Sequence, residues 1–503
     1  MKEFLDIRNL TFAYPDAVAP LLDNVSLHCQ PGWTGIVGPN GGGKTTLLKL
    51  ISADLLPSQG TIHRPGPVHY AAQDMEDKPD GLSELILNFD KPIIRIRNQL
   101  QIQSDWLERW ETLSFGERKR CQIGVALATQ PTVLLLDEPS NHLDFSSKTI
   151  LIETLQSFKG VGLIVSHDRL LLDTLCSHTL FIEPPKVDWR ACSYSIAIQE
   201  RERELAALVH ERREVTRTVK KLKRRSQEQR QKAGAADKKR SKQGLHRKDH
   251  DAKARIDAGR LTGKDGIQGR LYQRVQRRLQ RAEEQQRTMQ VKKNYRLGIT
   301  YIENTRSHKF PLTIPAARLA LGDTFLLNPE LTVAAGEKIG LIGDNGSGKS
   351  TFVNYLVTSL PLQTDEVIYI PQEIPTDSVD ALLKRIHTVN DAEKGDMMII
   401  IRRLGSEPAR LLETTMPSPG EARKLLLAFG LQKKPALIIM DEPTNHMDLP
   451  SIECLEKALG ECGCALLLVS HDYIFLQHLV SYFWNFQRHG RAYRISPSYS
   501  IPL

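Results

Sequence analysis

Gly38-Pro39-Asn40-Gly41-Gly42-Gly43-Lys44-Thr45 is the stretch that decides the fold. It matches G-x-x-x-x-G-K-T in full. Apolar Ile36 and Val37 precede it and Thr46, Leu47, Leu48 and Leu50 follow, so a strand, a glycine-rich loop and a helix are expected in that order. Glycines at 38, 41 and 43 let backbone amides, that of Asn40 included, curl around the β- and γ-phosphates of a nucleotide. Lys44 adds a positive point charge, and Thr45, with Thr46 beside it, offers a hydroxyl to Mg²⁺. Further on, Leu134-Leu135-Leu136-Asp137-Glu138 is an apolar run of buried-strand type that ends in two acids. Asp137 is expected in the Mg²⁺ shell, and Glu138 is placed to polarise an attacking water.

The same order recurs. Gly343-Asp344-Asn345-Gly346-Ser347-Gly348-Lys349-Ser350-Thr351 is a second phosphate loop, and Leu437-Ile438-Ile439-Met440-Asp441-Glu442 a second apolar strand ending in acids. Between loop and acids each half has a glutamine after a short strand, Gln73 and Gln372. A Gly-Glu motif follows, Leu113-Ser114-Phe115-Gly116-Glu117 in the first half and Pro417-Ser418-Pro419-Gly420-Glu421 in the second. After the acids come Ser140-Asn141-His142-Leu143-Asp144 and Thr444-Asn445-His446-Met447-Asp448, then Ser166-His167-Asp168 and Ser470-His471-Asp472. A lone histidine is more often a packed or surface residue, but six elements in one order, twice over, describe two copies of one site.

These motifs resemble the nucleotide-binding cassette of the ABC ATPases, over nearly the whole chain outside its middle. The resemblance implies an α/β fold of two P-loop domains, residues 1–189 and 301–503, that bind ATP with Mg²⁺ and hydrolyse it. It makes Gln73 and Gln372 the Q-loop residues near the metal and water. It assigns Ser114 and Gly116, with Ser418 and Gly420, to signature loops, and makes His167 and His471 switch histidines that contact the γ-phosphate. Cassettes of this kind pair head to tail, so two composite sites within one chain are expected. One would join Lys44 and Glu138 to Ser418, the other Lys349 and Glu442 to Ser114. Pro417 stands where the family has Leu, and Phe115 and Pro419 replace a signature glycine. Tyr14 is positioned to stack on adenine, whereas the matching stretch Leu319 to Leu321 has no aromatic and Phe325 is an offset substitute. Unequal nucleotide affinity at the two sites is the expectation.

Residues 190–300 form the third part. From Gln199 to Arg296 there are 31 Lys and Arg against 13 Asp and Glu, a net +18; the remainder has 37 against 46, so the chain as a whole is only +9. A segment this charged reads either as a solvated linker or as helix. Leu205, Leu208, Val215, Val219 and Leu222 repeat at helical steps, and Leu271, Val275, Leu279, Ala282 and Met289 form a second stripe on the return. Gly234, Gly244, Gly259, Gly263, Gly266 and Gly269 interrupt the pattern between them. An antiparallel helical hairpin with an irregular cationic tip is expected, its outgoing helix from about Ala197 to Ala236 on the order of 60 Å long. The seam ends near Leu222, so the distal part calls for a polyanionic partner, nucleic acid before anionic membrane. Leu245, His246 and Ile256 in the tip are candidate contacts to exposed bases, or local packing.

Two cassettes joined by a basic hairpin look like the ABC-F subfamily, whose members act on ribosomes. The resemblance implies a linker that enters the ribosomal E site and acts on the P-site tRNA near the peptidyl-transferase centre, with contacts to rRNA and tRNA. About 40 residues separate Gln73 from Leu113, too few for the extra arm of some translation factors. The layout is therefore similar to the antibiotic-resistance members. Met1 to Leu10 has no apolar leader and no run reaches transmembrane length, so a monomer in the cytoplasm, associated with ribosomes, is expected. A transporter ATPase would need membrane domains. A DNA-repair or chromosome-organising ATPase would need long heptad arms or a zinc cysteine pattern. Cys29, Cys121, Cys176, Cys192, Cys454, Cys462 and Cys464 are a scattered set read as free structural thiols.

Overall fold

The computed structural model describes residues 4–73, 77–240, 266–288, 307–322, 324–363, 365–408, 411 and 416–499. They form two compact units, one of Met1–Ala197 with Tyr295–Leu503 and one of Ile198–Asn294.

In the first half of the chain, strands β1 (Leu5–Phe12), β2 (Leu22–Cys29) and β4 (Gln59–His63) make an antiparallel sheet in the order β2-β1-β4. The phosphate loop rises between β3 (Gly32–Val37) and α1 (Lys44–Ser52). Strand β3 lies inside a six-stranded sheet ordered β5-β6-β7-β3-β8-β9, with β5 at Val68–Ala71, β6 at Val133–Asp137, β7 at Val161–Val165, β8 at His178–Glu183 and β9 at Lys186–Arg190. All pairs from β5 to β8 are parallel, so their carboxyl ends share one edge, where ligands of such sheets are bound. Val-Leu-Leu-Leu in β6 and Val-Gly-Leu-Ile-Val in β7 are buried at every position because the sheet is covered on both faces. Helices α2 (Leu82–Leu87), α3 (Lys91–Gln99) and α4 (Phe115–Ala128) fill the span between Gln73 and the acids, and α5 (Phe145–Gln156) and α6 (Arg169–Leu175) follow β6 and β7.

The second half repeats the plan with a different periphery. After β10 (Leu312–Ile314) come β11 (Ala317–Leu321), β12 (Thr324–Asn328), β13 (Leu331–Val333) and β14 (Lys338–Gly343). The eight-stranded sheet runs β11-β12-β19-β18-β14-β17-β16-β15, with β15 at Val367–Ile370, β16 at Leu437–Asp441, β17 at Ala465–Val469, β18 at Tyr482–His489 and β19 at Ala492–Ser498. Its central strands β18, β14, β17, β16 and β15 are parallel, as in the first half.

The described residues of the second unit are helical. Helix α7 runs from Tyr194 to Arg240 and α8 from Gly266 to Thr288. Gly234 and Gly269, expected to break the pattern, lie inside these helices, and Gly266 opens α8: one glycine costs only about 1 kcal/mol against its Lys, Arg, Gln and Ala neighbours. Val209, not Leu208, keeps to the inner stripe, and Leu208 is 49 % exposed, because the stripe steps by four residues from Leu205. On the return, Tyr272, three residues before Val275, is half-buried, and Leu271, four before it, is 40 % exposed. The seam also outlasts Leu222, since Ser226 is buried and Lys223 pairs with Glu283 at 2.9 Å; before that point Gln286 Nε2 donates to Thr216 Oγ1 at 2.9 Å. Small and polar residues thus extend a contact that the apolar pattern alone had ended. Met289, and the tip with Gly244, Leu245, His246, Ile256, Gly259 and Gly263, lie outside the described residues.

The helices that complete the second cassette are α9 (Lys349–Ser359), α10 (Thr376–Thr388), α11 (Asp391–Arg403), α12 (Pro419–Leu431), α13 (Leu449–Glu461) and α14 (Tyr473–Leu479). Cys462 and Cys464, read as free thiols, are bonded to each other at the turn between α13 and β17, where their Cα atoms are 5.5 Å apart, inside the span a disulfide bridges. Cys29, Cys121, Cys176 and Cys454 form no disulfide. Among the described residues no helix is long and apolar enough to cross a membrane.

Leu163 is fully buried in the middle of the first core. Its replacement by alanine is expected to destabilise the chain by about 2–5 kcal/mol, read as a lower urea midpoint.

Candidate active sites

The first phosphate loop forms as its spacing demands. Gly41 and Gly43 have φ of 72° and 93°, left-handed values that glycine adopts without strain, and Gly43 caps the start of α1. A side chain on Gly43 would meet Leu21 at 3.0 Å. Lys44 Nζ donates to the carbonyls of Gly38 and Pro39 at 2.9 and 3.1 Å, and Thr45 Oγ1 donates to Asp137 Oδ2 at 2.7 Å. Tyr70 OH reaches the same Asp137 oxygen at 3.2 Å. A cleft of about 590 Å³ lies over this loop. It is lined by Tyr14, Asn40, Gly41, Gly43, Lys44, Thr45, Thr46, Gln73, Asp137, Glu138 and His167, and from the other cassette by Ser418, Pro419, Glu442 and His471.

A second cleft, about 550 Å³, is lined by Asn345, Gly346, Gly348, Lys349, Ser350, Thr351, Gln372, Asp441, Glu442 and His471, with Phe115 and His142 from the first cassette. Lys349 Nζ donates to the carbonyls of Gly343 and Asp344 at 2.7 and 2.9 Å, which mirrors Lys44. Ser114 does not line this cleft; Phe115 does, with its ring 4.9 Å from that of His142. Both signature serines close capping boxes on their own helices, Ser114 with Glu117 and Ser418 with Glu421. Gly38, Gly343, Gly116 and Gly420 line neither cleft. The first two give their carbonyls to the lysines, and Gly116 and Gly420 sit against Leu143 and the His446 carbonyl. Tyr14 OH shares a hydrogen bond with Thr46 Oγ1 at 3.0 Å. Phe325 lines neither cleft, and the Arg318 guanidinium lies 3.9 Å from its ring centroid. Leu321 lines the second cleft, where a side chain on Gly348 would meet it as one on Gly43 would meet Leu21.

The two cassettes meet loop to loop. Asn40 N donates to Asp448 Oδ2 at 2.9 Å and Asn40 Nδ2 to the His446 carbonyl at 3.1 Å; Asn345 makes the matching contacts to Asp144 and His142 at 3.5 and 3.3 Å. The side chains of both asparagines, assigned from the sequence to nucleotide, are thus engaged with the opposite cassette. Glu138 and Glu442 have φ of 47° and 48°, and His142 and His446 60° and 62°. Left-handed backbone at four non-glycine residues marks the acid-to-aspartate loop as strained in both halves.

Burial dominates the electrostatics. It pushes Glu138 up to about 8 against the pull of Lys44, and Glu442 up to about 7 against Lys349. Burial first and Lys44 second bring His167 down to about 3; burial and Lys349 do the same for His471, so both imidazoles are neutral near pH 7. His167 Nε2 lies 3.1 Å from Glu138 Oε1, and His471 Nε2 lies 3.6 Å from Glu442 Oε1 and 2.9 Å from Asn345 Oδ1. Asp137 Oδ1, Glu138 Oε1 and Glu442 Oε1 are buried without a hydrogen-bond partner. Orphaned carboxylate oxygens beside a hydroxyl-bearing phosphate loop are a donor set that fits a hard divalent cation with a nucleoside triphosphate. Thr45 with Asp137, and Ser350 with Asp441, would hold the cation, which supplies charge neutralisation at the phosphates. Gln73 and Gln372 stand at the cleft walls.

Among the buried cations that sequence reasoning missed, two stand beside the glutamine loops. Lys119, five residues past Ser114, donates to the carbonyls of Ala72 and Gln73 at 3.1 and 3.2 Å. Arg423, five past Ser418, donates to the carbonyls of Gln372 and Asn445. Each ties its signature helix to the glutamine loop. Their equal offset from the two signature serines was the available signal.

Two facing P-loop sheets with carboxylates buried beside phosphate loops define a tandem nucleotide hydrolase. Residues 22–141 and 326–445 match the ABC transporter family. The ribosome protection protein VmlR of Bacillus subtilis is 29% identical over 497 residues, 95% of this chain and 85% of that protein. The energy-dependent translational throttle protein EttA of Escherichia coli K12 is 26% identical over 542 residues, 94% of this chain and 90% of that protein. The archaeal ribosome recycling factor aABCE1, solved with the ribosomal stalk protein aP1, shares the fold at a TM-score of 0.62 and 18% identity, over 97% of this chain and 89% of that one. The chain thus carries two ABC-type ATPase domains, and the proteins it resembles include a ribosome protection protein and a translational throttle.

Without nucleotide, Glu138→Gln is expected to raise the melting temperature at pH 8 by roughly 2–4 °C, because it removes a buried carboxylate. The folded value near 8 exceeds the ordinary 4.5, so the folded chain holds a proton that the unfolded chain has released. The native penalty is full above pH 8 and gone below about 4.5. The gain over wild type should therefore shrink as pH falls through this window, which calorimetry at stepped pH measures.

Proposed function

We propose that this ATPase binds the ribosome in its ATP-bound, closed form, with the basic linker in the E site acting on P-site tRNA and the peptidyl-transferase region. The effect on the cell is protection of the ribosome against antibiotics of the large subunit. One observation carries the reading: each cleft over a phosphate loop takes part of its wall from the opposite cassette. A γ-phosphate in such a cleft is bound from both halves, so ATP holds the halves together and its hydrolysis releases them.

The chain's own groups supply the steps. Lys44 and Lys349 leave their loop carbonyls for the phosphates. Glu138 and Glu442, buried and high in pKa, are bases poised near neutral pH for the attacking water. The neutral His167 and His471 offer a ring N–H to the γ-phosphate without adding charge. The linker, with 31 Lys and Arg against 13 Asp and Glu, attracts phosphodiester backbones, and that attraction weakens with salt. Similarity to a ribosome protection protein supports the antibiotic role, and similarity to a translational throttle supports action on translating ribosomes in general. A monomer in the cytoplasm, associated with ribosomes, fits both.

The double variant Glu138→Gln/Glu442→Gln should sediment with ribosomes in ATP and arrest growth; recovery of the variant only as free protein would sink the proposal. Deleting residues 236–263 should leave ATP turnover within about twofold while abolishing the effect on translation. Susceptibility to a panel of large-subunit inhibitors then separates protection, which raises resistance to some of them, from a housekeeping role, which does not.

A further inference from the structure

The two clefts have a tyrosine at the same place in the sheet and use it differently. Tyr70 and Tyr369 each stand three residues before the cleft glutamine, on β5 and β15. Tyr70 lies opposite Leu135 and Tyr369 opposite Ile439, each two residues before the first acid of the neighbouring strand. Side chains two apart on a strand share a face, so both tyrosines stand on the face that carries Asp137 or Asp441.

Their hydroxyls go to different partners. Tyr70 OH donates to Asp137 Oδ2 at 3.2 Å, the oxygen that also accepts from Thr45 Oγ1 at 2.7 Å, and Asp137 Oδ1 is left buried without a hydrogen-bond partner. Tyr369 OH donates instead to Asn354 Oδ1 at 3.4 Å. Asn354 is five residues past Lys349; five past Lys44 stands Lys49, whose ammonium has no acceptor to offer a hydroxyl. One exchange on the helix after the phosphate loop separates the two arrangements. A carboxylate that accepts two hydroxyl protons on one oxygen is fixed in orientation, and its other oxygen stays open to a cation. Partners of this outer kind commonly change metal affinity by about 10–100-fold.

We infer that Tyr70 is a positioning residue for the divalent cation of the first site, which it serves by orienting Asp137, and that Tyr369 has no such role at the second. Nucleotide binding at the first site then depends on the Tyr70 hydroxyl only when Mg²⁺ is present. The inference rests on the assignment of the two clefts as ATP sites.

The test is equilibrium dialysis of the full chain against a radiolabelled β,γ-imido analogue of ATP over stepped free Mg²⁺, so that binding and not turnover is read. Lys349→Ala restricts loading to the first site, and Lys44→Ala restricts it to the second. In the first background Tyr70→Phe should raise the half-saturating Mg²⁺ by roughly tenfold and leave affinity in EDTA within about twofold. A merely structural role would lower both affinities together. In the second background Tyr369→Phe should leave the half-saturating Mg²⁺ within about twofold. No shift for Tyr70→Phe, an equal shift for Tyr369→Phe, or a parallel loss of affinity in EDTA would each overturn the inference. An unsubstituted chain that takes up no analogue at any Mg²⁺ would instead overturn the ATP-site assignment beneath it.

Discussion

Acid groups buried at the carboxyl edge of a parallel sheet are the constraint around which this chain is arranged. Strands β6 and β16 are apolar along their length and end in Asp-Glu pairs that are almost wholly buried. In low dielectric such groups are tolerated only beside compensating charge, and each half provides it in the same way, with a lysine at the start of the helix after β3 or β14. The loop must then bring its backbone close, which explains the glycines, and the glutamates take left-handed backbone to face the cleft. Sheet order and loop conformation both serve the placement of a few oxygen atoms.

Much of this was legible in the sequence because the motifs are local. A phosphate loop, an apolar strand with terminal acids and a Ser-His-Asp cap each declare themselves within ten residues, and their repetition made the tandem architecture readable. Contacts between halves were not legible at the residue level. Asn40 and Asn345 have the motif of phosphate binders, yet their side chains are engaged by a loop more than 200 residues away in sequence. Ser114 stands outside the second cleft and Phe115 lines it, whereas Ser418, with the same capping box, lines the first, so the difference lies in how the halves pack and not in the motif. The buried Lys119 and Arg423 look like surface residues in any charge pattern, and only the fold shows the carbonyls they satisfy.

The hairpin shows the limit of pattern reading from the other direction. Apolar periodicity located both helices but misplaced Leu208 and Leu271 by one position, since several residues in a highly charged helix can be assigned to a stripe and packing alone selects among them. The pairing of Cys462 with Cys464 was likewise invisible, because two cysteines separated by one residue can be bridged only where the backbone turns between them.

Helix α7 begins in an unusual foothold. Tyr194 OH donates to Glu453 of α13 at 3.0 Å, and Ser195 N donates to Asp173 of α6 at 2.8 Å, so adjacent residues of its first turn hold helices from different cassettes. A helix of 47 residues is roughly 70 Å long. Its first turn is pinned to both cassettes by neighbouring residues, and any shift of α6 against α13 must break or stretch one of the two bonds.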